Sequence, residues 1–360
     1  MIAELIVLIV ILATAAFAYL KGSVIKSSLL FINAIISSTI AFSFFETAGR
    51  LIIGYGYGGQ WVLGICFIII FIFVLIILNA LTDKLAPTGV YFKESTGKIV
   101  RSVIAVFAGL FMAGVILITA ALLPLGPSWP YERFDPQNKN IQPTKPDKRP
   151  ILRAGGFTTT FASWLSRGSL CSSKSFAVFH PDFLNEIYLN RIGHDADNMI
   201  IAGSEAVEVK EAWEPNSTTK LVSASDSQPL NAMPGTKTVI VRTGIKGIPI
   251  VHGGALTENN KLTFTLAQIR LLCKADHSTL TGSSQVVYPV GFIRSENIVD
   301  RKSLIEEIKL IPKDFTGGIK WFDFVFQVPA DTVPVLLEFK LNAATEVGKL
   351  VSGNKIPSPL

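Results

Sequence analysis

The spacing of apolar and polar positions divides this chain into two materials. Four runs in the first third are almost free of charge: Ile2–Leu20, broken only by Glu4, then Ser27–Phe45, Trp61–Thr82 and Ser102–Leu123. A helix needs about 20 apolar residues to cross a bilayer core, so each run predicts a transmembrane span. The expected membrane domain is therefore all-α and four-helical over 1–124, with spans near 2–20, 27–45, 61–82 and 102–123.

Past Pro124 the pattern changes twice. Seven prolines from Pro124 to Pro150 predict a Pro-rich linker over 125–150, extended and semi-rigid, that holds the next domain off the membrane. From 151 to 345 short alternating runs predict a mainly-β domain. Phe322, Phe324, Phe326 and Val328 alternate with Trp321, Asp323, Val325 and Gln327, and Val333, Val335, Leu337, Phe339 and Leu341 repeat the pattern beyond Pro329. These two runs read as a hairpin. Further strands are expected at Asn198–Ala202, Thr238–Thr243, Leu262–Leu266 and Val286–Ile293, and short helices around Phe157–Leu165 and Pro181–Ile192. Short strands between Gly, Asn and Pro suggest a β-sandwich of immunoglobulin-like type. Residues 346–360 are left as a flexible tail.

Composition agrees: 49% of the residues are hydrophobic and 17% charged, and mean hydropathy is +0.45, the average of an oily third and an ordinary remainder. Charge then sets an orientation. Lys21, Lys26, Lys84, Lys93, Lys98 and Arg101 fall in the first and third connections, whereas the opposite side of the spans has Arg50 alone. Basic short loops stay cytoplasmic, so both termini and the β-domain are expected outside the cytoplasm, at an inner (plasma) membrane. Ala16-Phe17-Ala18 mimics a signal-peptidase site, but the start Met1-Ile2-Ala3-Glu4 has no basic stretch, and cleavage would export the basic 83–101 loop.

Small and polar residues mark faces for helix contact. Asn33, Ser37 and Ala41 line one stripe of the second span, and Ser102, Ala105 and Gly109 one of the fourth. Such faces let backbones approach in lipid. The alternative use of the Asn33 stripe is a polar path through an oligomer. The third span is bulky all round and reads as lipid-facing.

Residues 1–125 resemble the colicin V production protein (CvpA) family. The resemblance is carried by Glu4 near the start, the turn Tyr19-Leu20-Lys21-Gly22 after the first span, and Gly97-Lys98-Ile99-Val100-Arg101 leading into the last helix with Gly109 inside it. It departs at Lys26, where the family usually has an acid, at Leu20 and at Ala18. It implies an inner-membrane protein of toxin production or export and of envelope maintenance, and it implies no catalytic mechanism.

Candidate chemistry is sparse. His180, His194, His252 and His277 show no metal-ligand spacing, and His194-Asp195 with Asp197 reads as a solvated turn. No nucleophile elbow or phosphate-cradling glycine motif occurs, and the net charge of +6 comes without a basic-aromatic run, so no catalytic, cofactor, metal or nucleic-acid site is assigned. Cys171 and Cys273 are expected as a disulfide in an oxidising compartment. The reading is a non-enzymatic envelope protein whose β-domain binds a periplasmic protein or envelope polymer. Its alternatives are a homo-oligomeric channel or export component lined by the second helix and, more distantly, a membrane-tethered enzyme.

Overall fold

The computed structural model describes residues 2–85, 94–167, 175–195, 197–215, 220–276 and 282–353. Helices α1 (Ile2–Lys21), α2 (Val24–Gly54), α3 (Val62–Leu85) and α4 (Glu94–Leu122) are all long and apolar enough to cross a membrane. They are followed by α5 (Ala154–Arg167), α6 (Phe176–Phe179) and α7 (Phe183–Asn190). The strands are β1 (Val207–Pro215), β2 (Val222–Ser223), β3 (Thr236–Lys246), β4 (Leu262–Thr265), β5 (Ile269–Lys274), β6 (Gln285–Val287), β7 (Pro289–Ser295), β8 (Ile298–Arg301), β9 (Glu307–Leu310), β10 (Ile319–Pro329), β11 (Val333–Phe339), β12 (Ala343–Glu346) and β13 (Val351–Gly353).

In the bundle, close backbone contact occurs where small residues permit it. A Cβ added at Gly109 of α4 would lie 2.9 Å from the Ile11 Cα of α1. α2 buries Asn33, Ala34, Ser37, Ser38 and Ala41 on one face and continues nine residues past its expected end at Phe45. The third helix departs from the lipid-facing expectation. Its Val62, Leu63, Cys66, Phe67 and Phe71 are buried, and Phe67 meets Phe42 and Phe45 edge-on, while Ile69, Phe73 and Ile76 are exposed. The basic connections gather at one end: Arg101 donates to the carbonyls of Gly22 (2.5 Å) and Tyr19 (2.6 Å), and Lys26 pairs with Asp83 at 3.3 Å.

At the other end the expected spacer is absent. Residues 125–150 form neither helix nor strand, as their prolines dictate, yet Phe134 and Ile141 are buried in a core that runs without a break from α2, α3 and α4 into α7 and the β-domain. Arg191, fully buried, donates to Ala120 O at 3.0 Å and Trp129 O at 2.5 Å. The first of these bonds caps a carbonyl that the last turn of α4 leaves open, and the guanidinium stacks over Tyr188 at 4.9 Å. These bonds tie the end of α7 to the end of α4 and to the segment after it.

Among the described residues the strands form a seven-stranded sheet (β13-β1-β3-β10-β7-β8-β2), a four-stranded sheet (β12-β11-β5-β6) and a β4-β9 ribbon. The alternating phenylalanines of β10 share one core with Val239 and Val241 of β3, Leu271 of β5 and Leu337 and Phe339 of β11, so the two larger sheets face each other. Arg242 of β3 makes a two-pronged 2.7 Å pair with Asp323, its cross-strand neighbour on β10.

The expected hairpin is not formed: β10 pairs with β3 and β7, and β11 with β5 and β12, in the other sheet. Pro329 and Pro334 lack ladder donors, and the chain changes sheet between them. Pro289 likewise follows a break in the run 286–293, splitting it into β6 and β7 in different sheets. Asn198–Ala202 makes one isolated bridge, Ile201 to Leu341, and no strand. The tail expected to be flexible carries β13, which pairs in parallel with β1 through Val351 and its neighbours, so only 354–360 lie outside the described residues.

Candidate functional site

The outer face of β5 and β11 meets the helices in a buried set of charges. Arg270 and Glu338 are cross-strand neighbours in the β5–β11 register, and Arg270 Nη2 donates to Glu338 Oε2 at 2.5 Å. Above them the short α6 ends at His180, and α7 brings Glu186 on its first turn. Arg270 Nη1 reaches Glu186 Oε2 at 2.6 Å. The imidazole of His180 is held from both sides: Nδ1 lies 3.0 Å from Glu186 and 3.1 Å from Arg270 Nη2, and Nε2 lies 3.0 Å from Glu46 of α2. Glu46 also faces Arg50 at 3.7 Å, one turn along α2, and Arg50 Nε donates to Asn342 Oδ1 at 2.9 Å.

His180, Glu186, Arg270 and Glu338 are each at most 4% exposed. Burial opposes the charge on His180, but the carboxylates of Glu186 and Glu46 outweigh it and hold the imidazole protonated, with its pKa raised to about 10. Burial dominates at Glu338 and pushes its pKa up to about 8, Arg270 opposing it only in part. Glu186 faces His180 and Arg270, and Glu46 faces His180 and Arg50. A buried network of this kind holds only when complete, since removing one member strands another in low dielectric.

The ligand atoms of His180, Glu186 and Glu338 lie within 4.8 Å of one another, a spacing a metal ion accepts. The Arg270 guanidinium already bonds to both carboxylates, so the position of a bound cation is filled by a side chain. The set therefore fits a structural junction between α2 and the β-domain better than a metal centre. Phe42 reinforces it, touching Phe176 (4.8 Å) and Phe183 (5.8 Å) of the domain's helices.

The residues singled out from sequence fall elsewhere. Asn33 of α2 donates to Asn79 Oδ1 (2.8 Å) and Thr82 Oγ1 (3.0 Å) of α3; Ser37 is buried, its hydroxyl without a hydrogen-bond partner among the described residues; Ala41 is buried beside them. Ser102 bonds back to Lys98 O, and Ala105 is buried with Gly109. Tyr19, Lys21 and Gly22 share one turn, bound by Arg101 through the Tyr19 and Gly22 carbonyls, whereas Glu4 stands at the opposite end of α1. Cys273 is a free thiol buried in the core between the sheets, burial pushing its pKa up to about 12; Cys171 lies outside the described residues. His194 donates to Pro124 O at 3.0 Å, and Asp195 accepts from the amides of 197 and 198, as in a turn.

Sequence reasoning missed Glu46, His180, Glu186, Arg270 and Glu338. One signal was available: Glu46 and Arg50 are an i,i+4 pair directly after an uncharged run, which marks a helix continuing beyond its apolar stretch. No protein-family model, curated protein or solved structure matches this chain.

Proposed function

We propose that the chain is a multi-pass inner-membrane protein of CvpA type whose helical bundle is a rigid seat for a non-catalytic β-domain outside the cytoplasm. The observation that carries this reading is the separation of ends. Lys26 and Arg101 cluster at one end of the bundle, and the junction of Glu46 with His180 joins the β-domain to the other. By the bias of basic loops toward the cytoplasm, the domain and both termini belong on the far side. The domain there would engage a periplasmic protein or envelope polymer, in toxin production or export or in envelope maintenance.

The channel reading has less support. The Asn33 amide, its most polar feature, is engaged by Asn79 and Thr82 of the same chain. The test is a reporter fused after Leu360 that works only in the cytoplasm. A silent fusion is expected, and an active one overturns the orientation. Site-specific crosslinking from the β-domain in cells then asks whether a partner outside the cytoplasm is reached; adducts with cytoplasmic proteins alone would overturn the binding role.

A further inference from the structure

At the N-terminus of α5 a cavity of about 540 Å³ opens between that helix, Tyr131 and Asn185. A second hollow of about 420 Å³ adjoins it, sharing Arg133 and Gly156 and continuing past Trp164 to Arg167. Arg133 is 7% exposed and, among the described residues, makes no salt bridge, though its charge acts on Asp182. Its Nε donates to Asn185 Oδ1 at 2.6 Å and its Nη1 to Tyr131 OH at 3.1 Å; Nη2 has no hydrogen-bond partner among the described residues. The guanidinium lines both hollows with one arm outside these two bonds, and the Asp182 carboxyl in the same lining feels its positive charge.

Three further features converge on the same space. The backbone N–H groups of Ala154, Gly155 and Gly156 form the open first turn of α5, a 14-residue helix, and carry its positive dipole end. Neither glycine is required by the protein: a Cβ at Gly156 would meet only the Arg153 Cβ, at 3.9 Å, and neither glycine has positive φ. The room they leave faces the cavity. Arg149 and Arg153 line it as well, and Arg153 takes a left-handed φ of 45°, a strained conformation for an arginine. The one carboxylate in the lining, Asp182, accepts from Asn185 Nδ2 at 2.5 Å, and its burial pushes its pKa up.

The surroundings say where the ligand comes from. α5 lies along the apolar length of α4, Thr158 Oγ1 donating to Phe111 O at 3.1 Å, and Leu110 forms part of the cavity wall. Ile151, Leu152 and Trp164 stand exposed beside it. Arginines above exposed apolar side chains match the headgroup–acyl boundary of a bilayer.

We propose that this cavity binds the phosphate headgroup of an anionic membrane lipid in the leaflet that faces the β-domain. Arg133 and the α5 amides receive the phosphate, Arg149 and Arg153 close over it, and Ile151 and Leu152 lie against the chains. The site rests on the bundle being embedded.

The test uses the full chain in nanodiscs of mixed phosphatidylglycerol and phosphatidylcholine, with retained lipid quantified after exchange into detergent. Phosphatidylglycerol should be retained preferentially. R149Q and R153Q, at exposed positions, should each lower that preference about fivefold, and G156L, which fills the cavity, should abolish it, all with unchanged melting profiles. Equal retention of the two lipids, or a preference unaltered in these variants, overturns the site. If excess inorganic phosphate strips the retained lipid, the ligand is a soluble phosphate and the lipid assignment falls. Failure of the chain to enter nanodiscs sinks the membrane reading itself.

Discussion

Glu46 of α2 and His180 at the end of α6 lie 134 positions apart in the chain and meet in a 3.0 Å ion pair that ties a membrane-length helix to the buried face of the β-domain. His180 is pinned on its other nitrogen by Glu186, so neither carboxylate can be removed without leaving the imidazolium half-compensated.

H180Q should therefore be strongly destabilising. It leaves Glu46 with only the partly exposed Arg50 at 3.7 Å and takes from Glu186 one of its two cationic partners, and breaking one side of a buried charged pair costs about 3–5 kcal/mol. The melting temperature in detergent should fall, with the β-domain gaining protease sensitivity near α6. Pairing H180Q with E46Q removes one of the stranded charges, so the double variant should be less destabilised than the sum by about 0.5–3 kcal/mol. Strict additivity would show that the two residues do not act together.

The junction also predicts a pH dependence. Glu338, whose pKa rises from 4.5 to about 8, binds a proton in the folded state that the unfolded chain has lost, so its contribution is full below 4.5 and is lost as pH climbs through 8. His180, raised from 6.5 to about 10, acts in the same sense over a higher window. Lys340 acts oppositely: buried on Thr263 O, with its pKa pushed down to about 7, it favours folding only as pH rises. Denaturant midpoints should decline between pH 4.5 and 8, and E338Q should lose the lower part of that decline. An unchanged profile in E338Q would place the titration elsewhere.

Much of the fold can be read from the chain, and the reason is periodicity. Uncharged runs of bilayer length found the four helices, and the phenylalanine alternation of β10 found a central strand. Strand partners were not readable, because Pro329 and Pro334 mark a chain reversal without saying that the chain also changes sheet. β1, Val207–Pro215, was hidden by the charges of Glu208, Lys210 and Glu211 on its solvent side. The junction was illegible for a different reason. Its five charges sit at positions 46, 180, 186, 270 and 338, and each looks like an ordinary surface residue until the fold brings it inside.

α5 should depend on a single glycine in α4. A Cβ at Gly114 would fall 2.1 Å from Thr158 Oγ1 and 2.4 Å from Ala154 O, both backed by helix. G114V should cost about 1–3 kcal/mol by overpacking and release α5, so that a T158C variant becomes reactive to a water-soluble maleimide. G126A is the control: nothing lies within 4 Å of its new methyl, and it should melt like the parent. T158C staying protected in G114V would mean that α5 is held by other contacts.

Asn33 decides between a packed stripe and a path. Its amide donates to Asn79 and Thr82 across the α2–α3 contact, at 2.8 and 3.0 Å, and interhelical bonds of this kind in a membrane contribute about 0.6–2 kcal/mol. N33L removes both bonds and leaves Asn79 Oδ1 without this donor, so the helical region should lose stability by that amount in detergent titrations. If packing is the whole role, reconstituted vesicles carrying N33L and the parent should be equally tight to ions and small solutes. A flux present in the parent and abolished by N33L would restore the pathway reading, because a leucine at this buried position lowers flux only where the stripe touches the permeant.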